Sequence, residues 1–217
     1  MIPKLIAAAA LLGLLAGCAA DRVEVVETRP DYCPNPPAIP TTAQGVILPP
    51  RMITNNSPDW ESTFAYKLEF SLASPATLAG KPAQTAQALA QLSMLANSFS
   101  RSLRFQTLPA FGYLSMQQGS AALRQTLGVG QGVPDPQLIG ALLQTECALW
   151  AGDRAGARAA LEQVAQAPDA LDIIAPPGGN AVPRIPGAVA VAAANAAPAI
   201  RAQGGNGSRI WISRAGW

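Results

Sequence analysis

The sequence predicts a mainly α protein: an irregular bundle of about four to six helices behind an extended, proline-rich N-terminal arm, including one αα-hairpin. Two observations carry that expectation. Apolar side chains recur at helical spacing, as in Trp60, Phe64, Leu68 and Leu72. The 20 prolines cluster outside such stretches, where they mark long irregular connections. The 217 residues divide into a leader over 1–17, an arm over 18–57, a helical domain over 58–203 and a Gly-rich turn with an aromatic tail over 204–217.

The leader is Lys4 followed by an apolar run from Leu5 to Gly17. A helix needs about 20 apolar residues to cross a bilayer. This run is shorter and has the length of a signal-peptide centre. It ends in Leu15-Ala16-Gly17-Cys18, which resembles the lipobox of bacterial lipoproteins. The resemblance covers residues 1–18. It implies cleavage before Cys18, acyl chains on the sulfur and amino nitrogen of Cys18, and a working place outside the cytoplasm on a membrane surface. One acyl chain holds a protein only marginally, at about 0.8 kcal/mol per buried methylene, so lipoproteins of this kind carry more than one. In many of them an Asp directly after the cysteine means retention at the inner membrane. Here Ala19 and Ala20 follow and Asp21 comes later, so the resemblance implies an outer-membrane anchor with the domain in the periplasm.

The arm cannot be helical at Asp31-Tyr32-Cys33-Pro34-Asn35-Pro36-Pro37, because proline lacks the N–H and restricts the residue before it. Pro40, Pro49 and Pro50 continue the extended character. Two roles fit, a tether that lifts the domain off the membrane or a segment that lies along a partner. Val46-Ile47-Leu48 and Met52-Ile53 supply apolar anchors that a spacer does not need.

Helical pattern then takes over. Ser57 as N-cap and Pro58 at the first helical position start a helix that carries the Trp60–Leu72 stripe. Gly80-Lys81-Pro82 separates it from a second, with Leu89, Leu92, Ala96, Phe99 and Leu103 on one face. A third begins near Leu108 and offers Phe111, Leu114, Leu123 and Leu127. Gly112 and Gly119 weaken it by about 1 kcal/mol each against Ala, and Gly128-Val129-Gly130-Gln131-Gly132 ends it. Asp135 caps the next helix, whose inner face is Ile139, Leu142, Leu143, Cys147 and Trp150. Gly152 stops it, Asp153 caps its successor, and Ala157, Leu161 and Val164 face inward there. The run Leu149-Trp150-Ala151-Gly152-Asp153-Arg154-Ala155-Gly156-Ala157 resembles the turn of a tetratricopeptide-type hairpin. That resemblance covers a single hairpin; the family's aromatic and proline positions do not align, and no repeat of the unit follows. Beyond Pro168 the pattern loosens to the loop Pro176-Pro177-Gly178-Gly179, a short Ala-rich helix over Ala188–Ala197, and a turn at Gly204-Gly205-Asn206-Gly207. The tail alternates as Ile210-Trp211-Ile212, which suits a short strand or an extended end.

Composition narrows the function. Removing the leader leaves 200 residues, enough for one domain with a real core. The net charge of +2 and a charged fraction of 13%, against about 25% in an ordinary domain, argue against an electrostatic grip on nucleic acid. Histidine is absent, which removes Ser-His-Asp and Cys-His catalysis, His-ligated zinc and His-ligated haem. No phosphate-binding or dinucleotide fingerprint and no Ser-x-x-Lys occurs. The remaining acid–base candidates are the local pairs Asp59 with Glu61 and Asp169 with Asp172. Each also reads as a helix-dipole partner or a solvated loop. No catalytic residue, cofactor, metal site or small-molecule substrate is therefore predicted.

With Cys18 assigned to the lipid, Cys33 and Cys147 remain, in an oxidising compartment where they can pair. A bond between them would close a loop of over a hundred residues, worth up to ~4.7 kcal/mol in the chain-entropy account. Two separate thiols, with Cys147 buried, is the other reading. Tyr32, Trp211 and Trp217 are the expected contacts for a protein partner, since aromatic residues dominate interface energetics. The expectation is a non-catalytic, lipid-anchored binding or assembly component of the cell envelope, with two alternatives. One is an accessory subunit of a periplasmic or membrane-bound enzyme complex; the other is a carboxylate-dependent envelope enzyme.

Overall fold

The computed structural model describes residues 30–33, 39–50 and 59–205. The lipobox with Cys18, the residues Pro34–Pro37, Met52, Ile53, Ser57 and Pro58, and the tail with Trp211 and Trp217 lie outside the described residues. Among those described, the fold is an irregular helical bundle with no strand. Its helices are α1 (Trp60–Phe70), α2 (Pro82–Arg101), α3 (Ala110–Leu127), α4 (Asp135–Trp150), α5 (Arg154–Glu162), α6 (Ala170–Ile174) and α7 (Gly187–Gly205).

The bundle is assembled around α2. Of its 20 residues 15 are buried, and it packs on α1, α3, α4 and α6. Its sequence has no charge before Arg101 and is rich in Ala and Ser, so neighbours approach it on all sides. Buried Ser93 returns its hydroxyl to the Leu89 carbonyl one turn back, which removes the cost of burying it, and exposed Ser100 does the same to Ala96. The stripe of α1 docks as its spacing predicts: Trp60, Phe64 and Leu68 are buried, and Leu72 joins them just beyond the helix end. Each such side chain contributes about 1.5–3 kcal/mol.

The α4–α5 hairpin forms through Ala151, Gly152 and Asp153. Gly152 takes the left-handed φ of +72° that ends α4. The Asp153 carboxylate accepts from the Gly156 N–H at 2.8 Å, the expected cap. Asp135 acts differently from the expected N-cap. Pro134 holds that position, and the Asp135 carboxylate accepts from Arg124 at 3.1 Å and Asn97 at 3.3 Å.

Three other expectations are corrected. Leu103 is 73% exposed, because α2 stops at Arg101 and Leu103 opens a short 3-10 turn. On α3, Phe111 and Leu114 face solvent, and the buried face is Gly112, Ser115, Met116, Gly119, Leu123 and Leu127. The two glycines are contact points: a Cβ at Gly112 would overlap the Ala199 methyl, and one at Gly119 would overlap that of Ala192. The Ala-rich segment is a 19-residue helix, α7, that continues through Gly204 and Gly205. Small residues at these contact points, Gly112 and Gly119 against Ala199 and Ala192, let α3 and α7 lie close together.

The described parts of the arm lie on this domain. Ile47 is fully buried and its N–H donates to Asn97 Oδ1 at 2.8 Å; Val46 is half-buried and Leu48 exposed. Gly45, at φ +77°, closes a turn in which Gly45 N–H donates to the Thr42 carbonyl at 2.9 Å.

Candidate functional site

A cleft of about 570 Å³ opens between α1, α2 and α4, within the range usual for small-molecule sites. The α2 wall presents Gln84, Gln87, Ala88 and Gln91, a set at i, i+3, i+4 and i+7 that one helix face carries together. From α1 come Tyr66 and Phe70, and from α4 Glu146 and Trp150. Pro30 of the arm closes one edge.

The floor is polar and densely bonded. Tyr32 O–H donates to Glu146 Oε2 at 2.6 Å, and Gln87 Nε2 donates to Glu146 Oε1 at 2.9 Å and to the Tyr32 hydroxyl at 3.2 Å. Glu146 is 1% exposed. Burial pushes its carboxyl up to about 7, against the pull of hydrogen bonds from Tyr32, Trp150 and Gln87. The Tyr32 phenol is raised as well, first by burial and then by the neighbouring Glu146 charge. Beside this network Gln91 is buried with its Nε2 lacking any hydrogen-bond partner. A buried donor left unmet costs about 1–3 kcal/mol. The mouth is apolar by contrast: Tyr66 and Phe70 are 47% and 74% exposed.

The arm reaches the cleft through a covalent bond. Cys33 is joined to Cys147 by a disulfide, with Cα atoms 5.3 Å apart. This places Tyr32 next to Glu146, the residue before Cys147. Tyr32, expected as a partner contact, is corrected by this arrangement: it is 4% exposed and its hydroxyl is committed inside the protein.

The four carboxylates singled out from sequence do not converge, and none lines the cleft. Arg104 pairs with Asp59 at 3.0 Å and with Glu61 at 3.2 Å. Burial raises the Glu61 carboxyl, while Arg104 opposes the shift. Arg154 pairs with Asp172 at 2.6 Å and Arg184 with Asp169 at 3.4 Å. Sequence reasoning missed Glu146, Gln87 and Gln91. A signal for Glu146 was present, since it shares a helix face with Leu142, Leu143, Leu149 and Trp150 and is therefore carried into an apolar interface.

A second surface is distinct in character. No charged residue occurs from Phe105 to Leu123, through most of α3, except Arg104 just before it, nor from Ile185 to Ile200 in α7. The outer side of this pair exposes Phe111, Leu114 and Val191. Comparison of the chain with family models, curated proteins and solved structures found no match.

Proposed function

We propose that this protein is a lipid-anchored periplasmic binding or assembly component of the bacterial cell envelope, with Cys18 as the acylated residue and without catalysis of its own. The observation that carries the reading is the Cys33–Cys147 disulfide, a bond that persists in oxidising compartments and is rare in the cytosol. It agrees with the export signal resembling a lipobox at Leu15–Cys18. The mechanism is positional. The anchor confines the domain near a membrane and raises its effective concentration for partners there. Cys18 and Pro30 are 12 residues apart, a reach of at most about 40 Å when fully extended. The cleft bordered by Pro30 is thereby kept close to the bilayer.

A second reading, an accessory subunit of a larger envelope enzyme, is favoured by the charge-free α3–α7 face with Phe111, Leu114 and Val191 exposed. Crosslinking in intact cells separates the two. A stoichiometric catalytic partner attached through α3 or α7 supports the subunit reading.

Metabolic labelling with a fatty-acid analogue and cell fractionation test the anchor. The wild-type chain is expected to take up label and to sediment with the outer membrane, whereas Cys18→Ala takes up none. An unlabelled wild-type chain in the cytosol overturns the reading.

A further inference from the structure

We propose that the cleft between α1, α2 and α4 binds an uncharged, hydroxyl-rich ring, a short glycan of the cell envelope. The proposal rests on the envelope location argued above and adds a ligand class to it.

The first argument is the donor and acceptor set. Gln84, Gln87 and Gln91 stand in one row along α2, rising about 10 Å at 1.5 Å per residue. A primary amide offers a donor and an acceptor in one plane, and a hydroxyl both donates and accepts. Gln84 and Gln91 therefore match ring hydroxyls without any formal charge on the ligand, while Gln87, whose Nε2 is committed to Glu146 and Tyr32, offers its carbonyl oxygen. Gln91 supplies the independent observation: its Nε2 is buried at the cleft and has no partner in the protein. That nitrogen is shut off from solvent, so an acceptor oxygen in the cleft meets it when the Gln91 amide turns toward the lumen.

The second argument is charge. Glu146 is the acidic residue of the lining, and both of its oxygens are taken by Tyr32 and Gln87. Lys67, at the rim, is exposed. Neither arrangement selects a charged ligand. The third argument is the mouth, where the Phe70 ring stands open to solvent and the Tyr66 ring is half-exposed, with the Arg201 guanidinium over one of its faces. The Phe70 face and the uncovered face of Tyr66 suit the C–H-bearing face of a sugar ring, since the ring face carries the negative lobe of the quadrupole.

The test titrates the mature acylated chain in mild detergent with two probes, an N-acetylglucosamine oligomer and a glucose oligomer, by calorimetry up to millimolar concentration. Binding of either probe supports the proposal, and the preferred probe tells acetamido-bearing glycans from unsubstituted ones. Phe70→Ala and Gln84→Ala, at exposed and half-buried positions, are expected to weaken that binding about tenfold with an unchanged melting temperature. Gln91→Leu removes the unmet donor, so it should weaken binding while the melting temperature holds or rises; a purely structural glutamine would not give that pair of effects. Failure of both probes to bind, or binding indifferent to all three substitutions, overturns the proposal. Absence of label at Cys18 in the same preparation overturns the envelope reading instead, whatever the calorimetry gives.

Discussion

Because Glu146 is buried among Tyr32, Gln87 and Trp150, its proton is held more tightly in the folded chain than in the unfolded one. Its carboxyl moves from the ordinary 4.5 up to about 7. Between those values the folded state binds more protons, so stability falls as pH rises, by about 3 kcal/mol at 1.36 kcal/mol per unit. The contribution is fully present below pH 4.5 and lost above about 7. Thermal melts of Glu146→Gln across this window are expected to show a much flatter decline than wild type, with equal or higher stability at pH 7. A residual slope of the same sign remains from Glu61, whose carboxyl is also raised by burial. An unchanged slope would mean that Glu146 titrates as an exposed carboxylate. Sequence marks pairs of carboxylates close in the chain, such as Asp59 with Glu61, but not a lone carboxylate whose partners come from distant segments. Arg104 pairs with both of those carboxylates, whereas Glu146 acquires its character from burial beneath Tyr32, 114 residues away in the chain.

Elements built on large apolar side chains were legible, and those built on small ones were not. The Trp60, Phe64, Leu68 and Leu72 stripe docks as its spacing predicts, and the α4–α5 hairpin keeps its Gly152 stop and Asp153 cap. In α3 the same logic fails. Phe111 and Leu114 point outward because the interface with α7 is made by Gly112 and Gly119 against Ala199 and Ala192. A pattern search weighted by side-chain size cannot find a face defined by missing side chains. The sign of a mutation separates the two accounts. On helix propensity alone Gly119→Ala gains about 1 kcal/mol. On packing it loses, because the new methyl meets Ala192 and the Ala188 carbonyl, and overpacking costs about 1–3 kcal/mol. Chemical denaturation is expected to show net destabilisation. Pro198 inside α7 carries the opposite expectation. It deprives the Ala194 carbonyl of its helical donor at an exposed position. Pro198→Ala should raise stability by about 1 kcal/mol, less than the full ~3 kcal/mol of an interior proline because water reaches that carbonyl and the unfolded chain gains freedom.

At the scale of the whole molecule, the arm is where the sequence left two roles open. Its described parts lie along the chain's own domain, through Ile47, Tyr32 and the Cys33–Cys147 bond. Proline spacing marks a segment as extended but carries no information about which surface it follows, and pairing of distant cysteines depends on a geometry that only the fold supplies. The bond spans 114 residues, which in the chain-entropy account is worth up to about 4.7 kcal/mol. Replacing both cysteines, as Cys33→Ser with Cys147→Ala, is expected to lower the melting temperature by about 10 °C, at 2–4 °C per kcal/mol for a chain of this size. An unaffected melting temperature, with the bond verified in the wild type, would remove the arm from the stability of the domain.

The same crosslink decides how the molecule responds to mechanical load. Stretched between its ends, the oxidised polypeptide carries tension across sulfur rather than along the backbone that separates Cys33 from Cys147. At about 3.5 Å per residue, roughly 400 Å of slack stays locked away until a reductant cuts the short circuit.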